Sequence, residues 1–401
     1  MTAAVTPTRT LPERTLRNGT PQEVVDLLNT QHAHKLDVVV PVSKLEFVGG
    51  NLVVKEQESA LTEEGFFDVN GLYRPVAGVD DQLSSIFDIP VKYLKKLRTE
   101  HLGLLDNNLN ELIKLVAAKR PDQRHLVRTL WGEDPLYPGS AGVVRALLSD
   151  RYRIHDNLDT LLAVLDGLRA ANLGIEHIKA IDLSDNRLYL SVRAPEISAM
   201  APELLRGYRS PWAGTEHGGE DAETLPIVDA GVEFSNSEVG SGAFNIRPVL
   251  WVRICSNGLV QKMDQLRKVH LGGRLEEGQI NWSSATRETA THLVREQVKD
   301  ATETFLQEGY VKAAIERMER DSGVELKKPE EVIKQVSREL VYTKTEQETI
   351  LSHFIKGGQI TSGGLMQAVS SAAQVVEDVD RSHEMLGTAV DAMRVAARIA
   401  S

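Results

Sequence analysis

A cysteine, an asparagine and a histidine within a short span are the parts of a cysteine hydrolase, and the sequence offers one such set. Cys255-Ser256-Asn257-Gly258 is followed by His270. A thiolate nucleophile needs a helix N-terminus or a neighbouring imidazole to lower its pKa. Cys255 instead ends a predicted strand, so the residue reads as a buried, slow-reacting thiol. An enzyme built on Glu238, Cys255 and His270 is kept as the alternative. The second pattern is Asn236-Ser237-Glu238-Val239-Gly240-Ser241-Gly242. Consecutive small residues can turn backbone amides inward as an anion nest. The run lacks the Lys-Thr of a phosphate loop and the helix that follows a dinucleotide fingerprint. It reads first as a polar turn between strands. The third pattern is Val269-His270-Leu271-Gly272-Gly273-Arg274, beside Lys262, Arg267 and Lys268. Those side chains suit charge-assisted hydrogen bonds to phosphate, and Asp264 is the one acid nearby.

The other ten histidines show no metal-binding spacing, and HExxH, paired CxxC and GxSxG do not occur. No metal or cofactor is expected. With one cysteine in 401 residues there is no intrachain disulfide and no cysteine-rich zinc site. No apolar run approaches the roughly 18 residues of a membrane span, and the first twenty residues lack the apolar stretch of a secretory signal. A cytoplasmic protein is the expectation. Aromatics are 5% of the chain, so a platform for stacking bases would be small. Trp131, Trp212, Trp251 and Trp282 are assigned to core or interface.

Net charge is −11, which argues against a broadly basic nucleic-acid coat. The charge is segregated, however. Lys92 to Arg128 holds nine Lys/Arg against four acids, and Arg247 to Arg274 holds six against one. Between them, Trp212 to Ile246 holds seven acids and no Lys or Arg. Such basic stretches can bind phosphates locally.

These residues must be positioned by an α+β fold: an antiparallel β-sheet core with packed helices and a helical C-terminal segment. Residues 1–20 read as a flexible arm, 21–135 as an N-terminal α+β subdomain, 136–282 as the antiparallel sheet core and 283–401 as a helical region. Thr20-Pro21 is an N-cap with proline at the first helical position. Leu36 to Val42 is strand-like, and Gly49-Gly50 turns a hairpin within Leu45 to Val54. Helices are predicted at Pro90 to Arg98, from Asn108, and at Asn157 to Ala170, where five leucines form a stripe. Ile175 to Leu183 and Arg187 to Ala194 alternate as a half-buried antiparallel hairpin around Ser184-Asp185-Asn186. Ile227 to Phe234 and Phe244 to Cys255 are further strands of the sheet, and Ser256-Asn257-Gly258 is a turn. Tyr208 to Leu225 is a loop. Thr345 and Glu348 form a capping box, with further helices over Leu365 to Val379 and His383 to Ile399.

The order of IPVKYLKKLR (Ile89 to Arg98), RALLSDRYRIHDN (Arg145 to Asn157), SNSEVGSGAF (Ser235 to Phe244), VRICSNGLV (Val252 to Val260), HLGGRLEEG (His270 to Gly278) and the helical tail resembles the phage/plasmid-like proteins of domain-of-unknown-function family 932. The resemblance runs from Ile89 to the C-terminus. It picks out Asn236, Ser237, Glu238, Gly240, Gly242, Cys255, Asn257 and Gly258 as motif residues without assigning them roles. It implies a setting of replication, recombination or mobile-element maintenance. The expected function is a non-enzymatic nucleic-acid-associated protein, a homo-oligomer that binds or anneals single-stranded DNA. Arg151, Arg153, Lys262, Arg267, Lys268, His270 and Arg274 are its expected anion-binding residues. A protein-interaction module working through the helical C-terminal region is the third reading.

Overall fold

The computed structural model of the chain describes residues 10–62, 65–135, 137–212, 226–253, 257–260, 264–268, 278–279 and 284–400. In chain order the N-terminal elements are β1 (Leu16–Gly19), α1 (Pro21–Ala33), β2 (Lys35–Pro41), β3 (Leu45–Val48), β4 (Asn51–Val54), β5 (Ala60–Thr62), β6 (Gly65–Phe67), β7 (Gly71–Pro75), α2 (Gly78–Phe87), α3 (Val91–Glu100) and α4 (Leu102–Lys119). The middle of the chain gives β8 (Arg124–Trp131), β9 (Gly142–Ser149), α5 (Asn157–Ala170), β10 (Ile178–Leu183), β11 (Leu188–Met200), β12 (Ile227–Asn236), β13 (Phe244–Val252), β14 (Asn257–Val260), β15 (Leu266–Lys268) and β16 (Gly278–Gln279). The rest is helical: α6 (Ser284–Phe305), α7 (Glu308–Ser322), α8 (Pro329–Glu339), α9 (Lys344–Gly357), α10 (Ser362–Ala373) and α11 (Val379–Ala400). The protein is α+β, with an antiparallel sheet and a helical C-terminal segment.

Two seven-stranded sheets organise these elements. The first has the order β16-β2-β8-β9-β7-β4-β3, antiparallel except for the parallel pair β7–β9. Its core is closed by α2, α3 and α4 through Leu83, Leu94, Leu97, Leu105 and Leu109, all buried. Each such side chain contributes about 1.5–3 kcal/mol of burial. The second sheet, β1-β10-β11-β12-β13 with β14 and β15 sharing the far edge of β13, is antiparallel throughout. One face carries Leu188, Leu190, Val192, Val232, Phe234 and Leu250 into a core shared with α5, α6, α7 and α10. The predicted pairing of β10 with β11 is present, and β13 lies in the same sheet. Residues 175–177 form a 3-10 turn before β10 rather than its first residues. The hairpin is also more than half-buried. Tyr189 and Ser191, expected on a solvated face, are 3% and 7% exposed because His383 of α11 stacks on Tyr189.

The expected boundary at 135/136 falls between β8 and β9, which are paired neighbours in the first sheet. β1 joins the second sheet by pairing with β10, and β16 joins the first by pairing with β2. The arm expected over residues 1–20 is held from Thr10 onward. Leu11 N–H donates to the Glu133 carbonyl, Arg14 pairs with Asp185, and Arg17 donates to the Val376 carbonyl between α10 and α11.

Three local expectations need correction. Asn108 does not open a helix; α4 starts at Leu102. Its polar residues serve neighbouring elements instead. Asp106 accepts from the amides of Gly49 and Gly50, while Asn110 exchanges two hydrogen bonds with the Phe47 backbone, capping the open edge of β3. The capping box of α9 is Thr343 with Glu346, two residues earlier than expected. Asn257 and Gly258 are paired strand residues opposite Val252 and Trp251. The Thr20 N-cap with Pro21 at the first helical position is present as expected, and Glu23 completes a capping box there. Among the described residues no helix is long and apolar enough to cross a membrane.

Candidate functional site

The run from Asn236 to Gly242 leaves the end of β12 and seats itself against the first sheet. There it meets six charges that balance, Lys35, Arg128 and Arg145 against Asp37, Asp156 and Glu238, of which Arg128, Arg145, Asp37 and Glu238 are buried and Lys35 and Asp156 half-buried. Arg128 is 1% exposed. Its guanidinium donates to both Asp37 oxygens at 2.9 and 3.0 Å, to Asp156 at 2.8 Å and to the Glu238 carbonyl. Glu238 Oε1 binds Arg145, and its Oε2 accepts from the Asn157 amide at the start of α5, 2.9 Å away. Lys35 completes the set on Asp156. Burial works against the charges of Arg128, Asp156 and Glu238, and the opposite charges override it. Asp156 stays far below the usual carboxylate range because of Lys35 and Arg128, and Glu238 is lowered by Arg145 and Arg128. Arg128 is raised well above its ordinary value by Asp37, Asp156 and Glu238.

The rest of the motif serves the same seam. Asn236 donates to the His155 carbonyl and to Asn157 Oδ1, Tyr152 hydroxyl donates to the Ser237 carbonyl, and Gln82 of α2 donates to the Val239 carbonyl. Ser237 Oγ accepts from the Ser241 amide, so that donor faces its own loop rather than a bound anion. Gly240 has φ +80, and a Cβ there would lie 2.4 Å from Leu148 Cδ2. At Gly242 a Cβ would lie 2.6 Å from the Arg187 guanidinium, which packs against the bare backbone. The expected turn thus ties the two sheets together through hydrogen bonds and charge.

Beside the loop opens a polar cleft of about 870 Å³. Its walls are α2 (Gly78, Asp81, Gln82, Ser85), the second sheet with the loop (Arg187, Tyr189, Gly240, Ser241, Arg247), and the start of α11 (Asp380, Arg381, His383, Glu384). His383 anchors α11: Nδ1 lies 2.8 Å from Glu233 and Nε2 2.8 Å from Asp182, and the ring stacks on Tyr189 at 3.8 Å. Burial alone would lower its pKa, but Glu233 and Asp182 raise it to about 9. Glu233 in turn is lowered to about 2 by Arg247 and His383 against its own burial. A histidine with both nitrogens engaged by carboxylates is an imidazolium strut rather than a general base.

The residues expected to do chemistry fare unequally. Cys255, Ser256, Lys262, His270 and Arg274 lie outside the described residues, as does the burial expected of Cys255. Arg267 and Lys268 form β15, opposite Asn245 and Phe244. Glu238 has both carboxylate oxygens engaged, which removes it as a free acid or base. Of the nine cations between Lys92 and Arg128, five have carboxylate partners: Lys95, Lys96, Arg98, Lys114 and Arg128. Arg247 is paired with Glu233 and Arg253 with Asp229. Among the described residues Lys119, Arg120, Arg124, Arg151 and Arg153 make no ion pair, and all five are exposed or half-exposed. Arg151 and Arg153 are among the anion-binding residues expected from the sequence, whereas the other three belong to the longer run from Lys92 to Arg128, most of whose cations are paired. His383 and Asp182, 201 residues apart, left no sequence signal.

Compared with known proteins, the chain significantly matches no family model, no curated protein and no solved structure. The resemblance to family 932 therefore rests on motif order alone.

Proposed function

We propose that the protein is a non-enzymatic nucleic-acid-associated protein that holds a phosphodiester backbone at one end of its first sheet. The observation that carries this reading is a convergence of unpaired cations. Lys119 and Arg120 end α4, and Arg124 opens β8, while Arg151 and Arg153 follow β9. β8 and β9 are antiparallel neighbours with His125 opposite Ser149, so the two turns lie side by side at strand spacing. β2 brings Pro41 opposite Arg124 at the same end. β16 begins opposite Val39, two residues from that pair. In a chain of net charge −11, exposed cations without acid partners form a local phosphate surface. The mobile-element setting implied by the motif order supports the same class of partner, of which single-stranded DNA is the member proposed here.

Fluorescence anisotropy of a labelled oligonucleotide at several salt concentrations tests the reading. Affinity falls with salt at a slope of about 0.9 per duplex phosphate neutralised, or about 0.7 for single strands. Arg124→Ala combined with Arg151→Ala lowers that slope by about one to two and weakens all sequences alike. Absence of binding at low salt to either strand form overturns the proposal. Binding whose slope the double variant leaves unchanged overturns the location.

A further inference from the structure

The cleft between α2, the 237–242 loop and α11 has a second character, independent of the cation-rich sheet end. The residues that line it are polar or charged apart from Gly78, Gly240 and Tyr189. Tyr189 and His383 are the aromatic rings among the lining residues, and each is already stacked on the other. Three arginines reach the cleft, and two are spent: Arg247 on Glu233, Arg381 on Glu346 and Glu384. Arg187 is different. It donates one Nη2 hydrogen bond to the Ser241 carbonyl, and among the described residues it has no carboxylate partner. Its guanidinium lies flat along Gly242, which fixes it without neutralising it. The same cleft is lined by the hydroxyls of Ser85 and Ser241 and by the carboxylates of Asp81, Asp378, Asp380 and Glu384. A half-buried, fixed guanidinium with free donors selects an oxyanion. The surrounding small polar groups match hydroxyls, and the volume suits a ligand of metabolite size.

We propose that this cleft binds a small hydroxyl-bearing molecule with one oxyanion, a sugar phosphate or a sugar acid, with the anion on Arg187. Isothermal titration calorimetry of the full chain with ribose 5-phosphate, gluconate and unmodified ribose tests it. Saturable binding of either anion, with ribose at least about tenfold weaker, is the expected result, since a charged hydrogen bond carries about 1.5–3 kcal/mol. Which anion binds identifies phosphate or carboxylate as the source. Arg187→Gln removes the binding. Ser85→Trp, an exposed helix position that needs no repacking, blocks the cleft and also removes it. Oligonucleotide binding stays unchanged in both variants, which separates this site from the nucleic-acid surface. No saturable heat with either anion at millimolar concentration overturns the proposal. Equal binding of ribose overturns the role of Arg187, and binding that survives Ser85→Trp overturns the location.

Discussion

Replacing Arg128 by methionine tests whether the seam between the sheets is held by charge. The guanidinium is 1% exposed and serves Asp37 twice, Asp156 once and the Glu238 carbonyl once. Methionine fills much of its volume but leaves three carboxylates facing Lys35 and Arg145 alone. Removing one partner of a buried ion pair costs about 3–5 kcal/mol, because the charge left behind remains desolvated. Asp37 bears most of this cost, since its other cation, Lys35, lies 3.6 Å away and is engaged with Asp156. Guanidinium denaturation followed by circular dichroism is the assay, with Arg128→Lys as the companion. Lysine keeps the charge but cannot make the forked contact, so an intermediate loss is expected. The double variant Arg128→Met with Asp37→Leu recovers part of the loss, because no carboxylate is then stranded at position 37. A loss under about 1 kcal/mol for Arg128→Met, or no recovery in the double variant, refutes the reasoning.

Two further outcomes follow from named contacts. His383 has its folded pKa raised to about 9 by Glu233 and Asp182, so its contribution is full below the unfolded value of about 6.5 and is lost as pH rises through about 9. The difference in denaturation midpoint between the wild type and His383→Gln therefore shrinks between about pH 6.5 and 9.5, and a difference constant over that range contradicts the ion-pair geometry. Thr343→Ala costs about 1 kcal/mol through loss of the α9 cap, whereas Thr345→Ala, inside the helix, stays within a few tenths. Equal losses in thermal melts of the two variants would restore the sequence-based capping box.

Elements whose signal is local were legible. The leucine stripe of α5 gave its bounds, because an amphipathic face acts within one helix. Gly49 and Gly50, at φ +57 and +78, turned the hairpin where expected. Where the reading failed, a tertiary partner had taken over a residue with strong local meaning. Asn108 looked like a cap because a free asparagine competes for backbone, yet its amide is engaged by the Tyr93 hydroxyl. Tyr189 looked half-exposed because alternation reports one covered face, and α11 covers the other. The pairing of β7 with β9, 69 residues apart at Tyr73 and Gly142, has no sequence signature at all.

The same physics explains why charge was the least legible property. A run such as Lys92 to Arg128 reads as basic when only its own acids are counted. In the fold, Arg98 meets Asp80 and Arg128 meets Asp37 and Asp156, acids that lie outside the run. Glu238 likewise reads as a free carboxylate within an acidic stretch, until Arg145 and the Asn157 amide occupy it. Cations inside the core have to find partners, since desolvation leaves an unpaired charge no other stable state. Turns carry no such requirement. Arg124, Arg151 and Arg153 keep their charge because they sit where β8 begins and β9 has ended, in contact with water. Charge left unpaired is therefore to be sought at strand ends that converge in space, not in the longest basic run, and the phosphate surface proposed for this chain lies at such a place, the β8–β9 end of the first sheet.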